Sequence, residues 1–163
     1  MANIEVRTVW QKDDPAASRD VIALWDELGA IFPKDRPERL KELVAAAYVD
    51  GKIAGACTAR PIDYKVLRAQ VFHIRSTILA GAQHDEVLLC LLSSAKSVLQ
   101  PWAQVHADKR LKGILAIFDS DAYDGLYAEP IIRRNGIELV LTGCTDEGRQ
   151  IRTIWFDDAK LAK

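Results

Sequence analysis

Residues 69–99, AQVFHIRSTILAGAQHDEVLLCLLSSAKSVL, constrain the fold more than any other part of the chain. An extended stretch, 69–79, runs into a short loop of small residues, 80–84, and the loop opens onto a strongly apolar helix, 85–99. Residues 112–118, KGILAIF, follow as a near-continuous apolar run, the pattern of a central strand covered on both faces. A strand, a helix and a second strand in this order imply a parallel pair at the centre of a sheet. The loop between the first strand and the helix also presents backbone N–H groups at the positive end of a helix dipole. That geometry can hold a phosphate or pyrophosphate.

The rest of the chain supplies the flanks of that sheet. Residues 4–10 alternate apolar and polar and read as a first strand. After a break at 13–15, Ser18 is the expected N-cap of a helix carrying Val21, Ile22, Leu24, Trp25, Leu28 and Ile31, ended by Gly29 and Pro33. Pro37 suits the first turn of a second helix with Leu40 and Leu43. Residues 44–49 and 52–62 are strands joined by Asp50 and Gly51, a two-residue hairpin signal. Pro101 is expected to end or kink the long helix. Residues 119–135 are read as an interrupted helix that Pro130 restarts and Gly136 terminates. A last hairpin joins 137–144 to 151–156 across a turn at 145–148, and 151–156 is the expected pairing edge for a homodimer.

Composition narrows the function classes. The length, 163 residues, suits one domain. A formal net charge of −1 argues against a dedicated nucleic-acid or anionic-membrane binder. No apolar run has the length of a membrane span, and MANIEVRTVW lacks the regions of a signal peptide, so a cytoplasmic protein is expected. Cys57, Cys90 and Cys144 are widely spaced in apolar stretches, which predicts three buried thiols rather than a metal motif or a disulfide framework.

The element order β-α-α-β-β-β-α-β-α-β-β resembles that of the GCN5-related N-acetyltransferase (GNAT) superfamily over nearly the whole chain. Residues 44–56, VAAAYVDGKIAGA, are similar to the family's second and third strands with their D-G-K turn. Residues 74–92 fall where the fourth strand, pyrophosphate loop and third helix occur. Residues 127–138, YAEPIIRRNGIE, resemble the family's Y-x-x-x-G-F-E end of a fourth helix. The resemblance implies a single α/β domain over residues 1–163, with a mixed, mostly antiparallel sheet and helices on both faces. It also implies an acyl-CoA-dependent N-acyltransferase. Acetyl-CoA would be the cofactor and a small-molecule or peptide amine the partner. The alternative is a degenerate module of the same fold that binds or scaffolds without transferase activity.

By the same resemblance, backbone groups of Ile78, Leu79 and Ala80 would meet the pantetheine arm, and the amides of Gly81, Ala82, Gln83 and His84 the pyrophosphate. His73 and Tyr127 are the candidate catalytic base and acid. The loop departs from the family pattern in three ways: it has one glycine, Gly81; it has no basic residue, Gln83 and His84 being the nearest substitutes; and two acids, Asp85 and Glu86, open the helix. Those acids favour the helix start but repel phosphate.

The remaining polar residues have simpler readings. Arg75 is a strand arginine, Arg133 and Arg134 complement a helix C-terminus, and Arg36, Arg39 and Lys41 form an exposed helix face. Asp119, Asp121 and Asp124 cap a helix rather than bind metal, and the four tryptophans, Trp10, Trp25, Trp102 and Trp155, anchor the core.

Overall fold

A computed structural model describes residues 2–81, 83–118 and 125–161. Ala82, Asp119, Asp121, Tyr123 and Asp124 lie outside the described residues. The strands are β1 (Ile4–Thr8), β2 (Leu43–Val49), β3 (Lys52–Tyr64), β4 (Ala69–Ile78), β5 (Leu111–Phe118), β6 (Ile131–Arg134), β7 (Ile137–Cys144) and β8 (Gln150–Trp155). The α-helices are α1 (Pro15–Leu28), α2 (Arg36–Lys41) and α3 (His84–Val105). The strands form one mixed sheet in the order β1-β2-β3-β4-β5-β8-β7-β6. The β4–β5 pair is parallel, as the strand-helix-strand pattern requires. The pairs β1–β2, β2–β3, β5–β8, β8–β7 and β7–β6 are antiparallel.

Two compact units share the long strands: Met1–Ala59 with Arg75–Leu99, and Arg60–Ile74 with Gln100–Lys163. In the first unit, α1 starts at Asp14 rather than Ser18. The Asp14 carboxylate accepts the Ala17 amide at 3.0 Å, and Pro15 occupies the first turn, where its missing N–H costs nothing. Gly29 ends the helix in the left-handed conformation, φ 60°. The helix buries Ala17, Val21, Leu24 and Trp25 against Leu43, Ala46 and Ala56 of the sheet. Gly55, the neighbour of Ala56 on β3, faces the other way. A Cβ there would stand 2.9 Å from Val87 Cγ1 and 3.2 Å from Leu91 Cδ1 of α3. Because side chains alternate along a strand, α1 and α3 cover opposite faces of this part of the sheet. Arg36 is not a solvated helix residue. It pairs with Asp26 at 2.7 Å and donates to the Ile31 carbonyl, tying α2 to the end of α1.

Tyr48 of β2 donates its hydroxyl to Asp20 of α1 at 2.9 Å. Burial, and then the Asp20 hydrogen bond and charge, push its pKa from 10.0 up to about 12. Burial alone pushes the Cys57 thiol from 9.0 up to about 12. Both groups hold their protons longer folded than unfolded, so their contribution is complete at low pH and is lost as pH rises. The Cys57 part declines from about pH 9 and the Tyr48 part from about pH 10, both continuing to about 12. Urea midpoints measured from pH 8 to 12 should therefore fall, and Tyr48→Phe should flatten the fall above pH 10. An identical slope in that variant would remove Tyr48 as a contributor.

The second unit contains the two clearest departures from expectation. Residues 131–134 are a strand, not the end of a helix. Ile131–Arg134 pairs antiparallel with Ile137–Val140 through Asn135 and Gly136, whose φ angles of 53° and 75° are those of a tight hairpin turn. Arg133 and Arg134 thus lie on an exposed edge strand, and Arg133 pairs with Glu138 at 2.6 Å. Ahead of the strand, Gly125–Ala128 is a short 3₁₀ turn. The second departure is that β8 is interior, flanked by β5 and β7, so 151–156 cannot serve as a pairing edge; β6 takes the outer position.

Three smaller points concern α3, the cysteines and the tryptophans. Helix α3 runs through Pro101 without ending, and the ring of Trp102 packs edge-on against Phe72 at 5.8 Å. Of the cysteines only Cys57 is buried; Cys90 is half-buried and Cys144 exposed. Of the tryptophans only Trp25 is fully buried.

Candidate functional site

The site begins at the end of β4. Paired residues of β4 and β5 run from Gln70–Leu111 to Ile74–Ala116. The end of β4 is held against β3. The Leu79 amide donates to the Ala54 carbonyl at 2.8 Å, Leu79 packs into the α1 core, and Ile78 lies close to Gly55. The Leu79 amide is therefore already engaged. Arg75 makes an internal ion pair with Glu42 at 3.1 Å, so it is neither a free strand arginine nor a free ligand contact.

After this anchor the chain turns into α3. The His84 amide donates to the Gly81 carbonyl at 3.1 Å, and the Val87 amide to the Gln83 carbonyl at 2.9 Å, which closes the first helical turn. Among the described residues, the amides of Ala80, Gly81 and Gln83 have no hydrogen-bond partner. All three residues are exposed. A Cβ on Gly81 would meet nothing within 4 Å, so the surface above this turn is open. Its φ of 149° is the reason for the glycine, a region L side chains avoid. His84, Asp85 and Glu86 are exposed, and His84 Nδ1 stands 3.3 Å from the Asp85 carboxylate. The helix start thus offers unpaired donors and a positive dipole end beside two carboxylates.

The structure does not bring His73 and Tyr127 together. His73 is half-buried on β4 opposite Leu115 of β5, which in turn faces Thr153 of β8. Its face is that of the Val71, Leu115 and Ile151 cluster. The ring of Tyr127 packs on Phe118 at 5.5 Å, and its carbonyl is held by Gln150, the register partner of Phe118. Leu115 and Phe118 are three residues apart on one strand, so their side chains point to opposite faces of the sheet. The sheet is hydrogen-bonded at His73, and no gap there lets it reach the Tyr127 side.

Sequence reasoning missed Arg152. It is fully buried in β8, yet it donates to five acceptors. These are Gln150 Oε1 at 2.8 Å and the carbonyls of Glu129 (2.9 Å), Tyr127 and Leu139 (both 3.2 Å) and Pro130 (3.5 Å). Its guanidinium therefore fixes the 127–130 segment and, through it, the position of Tyr127. In the sequence QIRTIW it occupies an ordinary alternating strand position, with nothing to mark it as buried.

No family model matches the sequence, and no curated protein matches it. Solved structures do. An acetyltransferase of the GNAT family from Streptococcus pneumoniae is 12% identical with a TM-score of 0.53, over 94% of this chain and 99% of that one. A bacterial toxin is 16% identical with a TM-score of 0.56, over 96% and 92% of the two chains. The AHL synthase LasI is 10% identical with a TM-score of 0.50, over 100% and 99%. With its parallel β4–β5 pair, the loop into α3 and these likenesses along the whole chain, the protein has the GNAT fold in a divergent form.

Proposed function

We propose that the protein is an acyl-CoA-dependent N-acyltransferase that binds its cofactor diphosphate on the turn between β4 and α3. The observation that carries this reading is the set of unpartnered, exposed amides at Ala80, Gly81 and Gln83, aimed from the start of a long helix. Backbone N–H groups are sufficient donors for a diphosphate, so the absence of a basic residue lowers affinity without abolishing the site. The open space over Gly81 gives the phosphates room. Bound acetyl-CoA supplies a thioester whose acyl group passes to an amine, of a small molecule or a peptide. Tyr127, held by the Arg152 clamp, is the residue proposed to protonate the departing thiolate. His73 faces away from Tyr127 and is assigned no proton transfer in this reading.

Asp85 and Glu86 favour a second reading, in which the same fold binds a partner without transferring an acyl group. The two carboxylates decide the matter experimentally. Under the transferase reading, Asp85→Asn combined with Glu86→Gln removes repulsion and tightens CoA binding by about three- to tenfold at low salt. Calorimetry with CoA measures this directly, and unaltered or weaker affinity in the double variant contradicts a diphosphate at the helix start. Tyr127→Phe should slow acetyl transfer on the order of 100-fold with little change in CoA affinity.

A further inference from the structure

At the other end of β4, a cluster of cations has no counterpart in the reading above. Arg68, Arg110 and Lys112 line one cavity of about 210 Å³ together with Asp63, Ala69, Gln70 and Leu161. The register explains why they converge. Gln70 pairs with Leu111 in the parallel β4–β5 pair, so the residues entering the two strands lie side by side. No hydrogen bond or ion pair among the described residues engages the side chains of Arg68, Arg110 or Lys112, and Asp63 is paired to none of them.

The two arginines share an unusual backbone. Each terminates a 3₁₀ turn, Lys65–Leu67 or Ala107–Lys109, and each enters its strand in the left-handed conformation, φ 50° at Arg68 and φ 54° at Arg110. Glycine or asparagine takes that conformation at lower cost, and a long side chain brings no local compensation. Two arginines held there, side by side with a lysine, combine backbone strain with like-charge repulsion. An anion bound among them relieves the repulsion, and planar guanidinium groups match the oxygens of a phosphate in paired fashion. The single acid, Asp63, leaves the cavity with a net positive charge. Leu161, 58% exposed on its wall, offers an apolar surface to the organic part of a ligand.

We propose that this cavity binds the phosphate group of a small phosphomonoester. The inference is independent of the acyl-transfer reading and concerns only residues 60–74 and 100–163. The experiment is thermal unfolding of the full chain with inorganic phosphate and with phenyl phosphate, against sodium chloride at matched ionic strength. At tenfold excess over Kd the midpoint should rise by about 3–5 °C. Phenyl phosphate should reach that shift at lower concentration than inorganic phosphate. The control is Arg68→Gly with Arg110→Gly. Glycine accepts both φ values, so the unliganded midpoint should stay within about 3 °C of the parent while the phosphate-dependent shift disappears. The proposal is overturned if neither compound exceeds the chloride control, or if the shift survives in the double glycine variant.

Discussion

Replacing Arg152 with methionine should lower stability by about 3–5 kcal/mol. Methionine keeps much of the volume, so the loss does not come mainly from a cavity. It comes from the acceptors left behind. The buried Leu139 carbonyl and Gln150 amide oxygen lose a charged donor at 3.2 and 2.8 Å, and the half-buried bond to the Glu129 carbonyl at 2.9 Å is lost with them. The Tyr127 and Pro130 carbonyls suffer less, because Gln150 Nε2 and the Leu141 amide also donate to them, each at 2.8 Å. Lysine should rescue only part of the loss, since one ammonium cannot span acceptors that a guanidinium fork reaches from both sides. The measurement is urea unfolding of Arg152→Met and Arg152→Lys beside the parent. A midpoint unchanged in Arg152→Met would mean that the buried guanidinium does not hold the 127–130 segment. The same variants carry a functional signature: if Arg152 positions Tyr127, then Arg152→Lys should reduce acetyl transfer more than it reduces CoA binding.

Gly113→Ala should cost about 2–4 kcal/mol through overpacking of backbone against backbone. Gly113 lies on β5 opposite Trp155 of β8. A Cβ there would stand 2.5 Å from the Ile154 carbonyl oxygen and 3.1 Å from the Trp155 Cα. Neither atom belongs to a flexible side chain, so β5 and β8 must separate locally to admit one methyl group. Gly55 offers an internal comparison. There the added Cβ meets the ends of Val87, Leu91 and Ile78 side chains, which can shift. Gly55→Ala should therefore cost clearly less than Gly113→Ala, and amide exchange in β8 should quicken only in the latter. Equal costs at the two positions would contradict the distinction between backbone and side-chain contact.

These residues also show what the sequence discloses and what it withholds. The segment from β4 to β5 was legible because its signals are local: an extended run, small residues, an apolar helix and a second apolar run. Those signals also locate the turn with the unpartnered amides. Asn135 and Gly136 were legible in principle, since Asn-Gly between apolar runs is a strong hairpin signal. Reading Gly136 as a helix terminator set its role as a C-cap above that turn chemistry, and the structure shows the hairpin. Arg152 was illegible for a physical reason. Alternation predicts an outward polar residue, and only a distant segment, 127–130, folding over that face turns an exposed position into a buried one. The separation of His73 from Tyr127 was illegible as well, because it depends on the register across β4, β5 and β8.

The central claim is that the amides of Ala80, Gly81 and Gln83 receive the diphosphate of an acyl-CoA. Amide resonances of the ¹⁵N-labelled chain during titration with acetyl-CoA test it most directly. The account predicts saturable shifts centred on Ala80, Gly81 and Gln83, weakened by added salt. Unmoved resonances at these three residues with millimolar acetyl-CoA would contradict it.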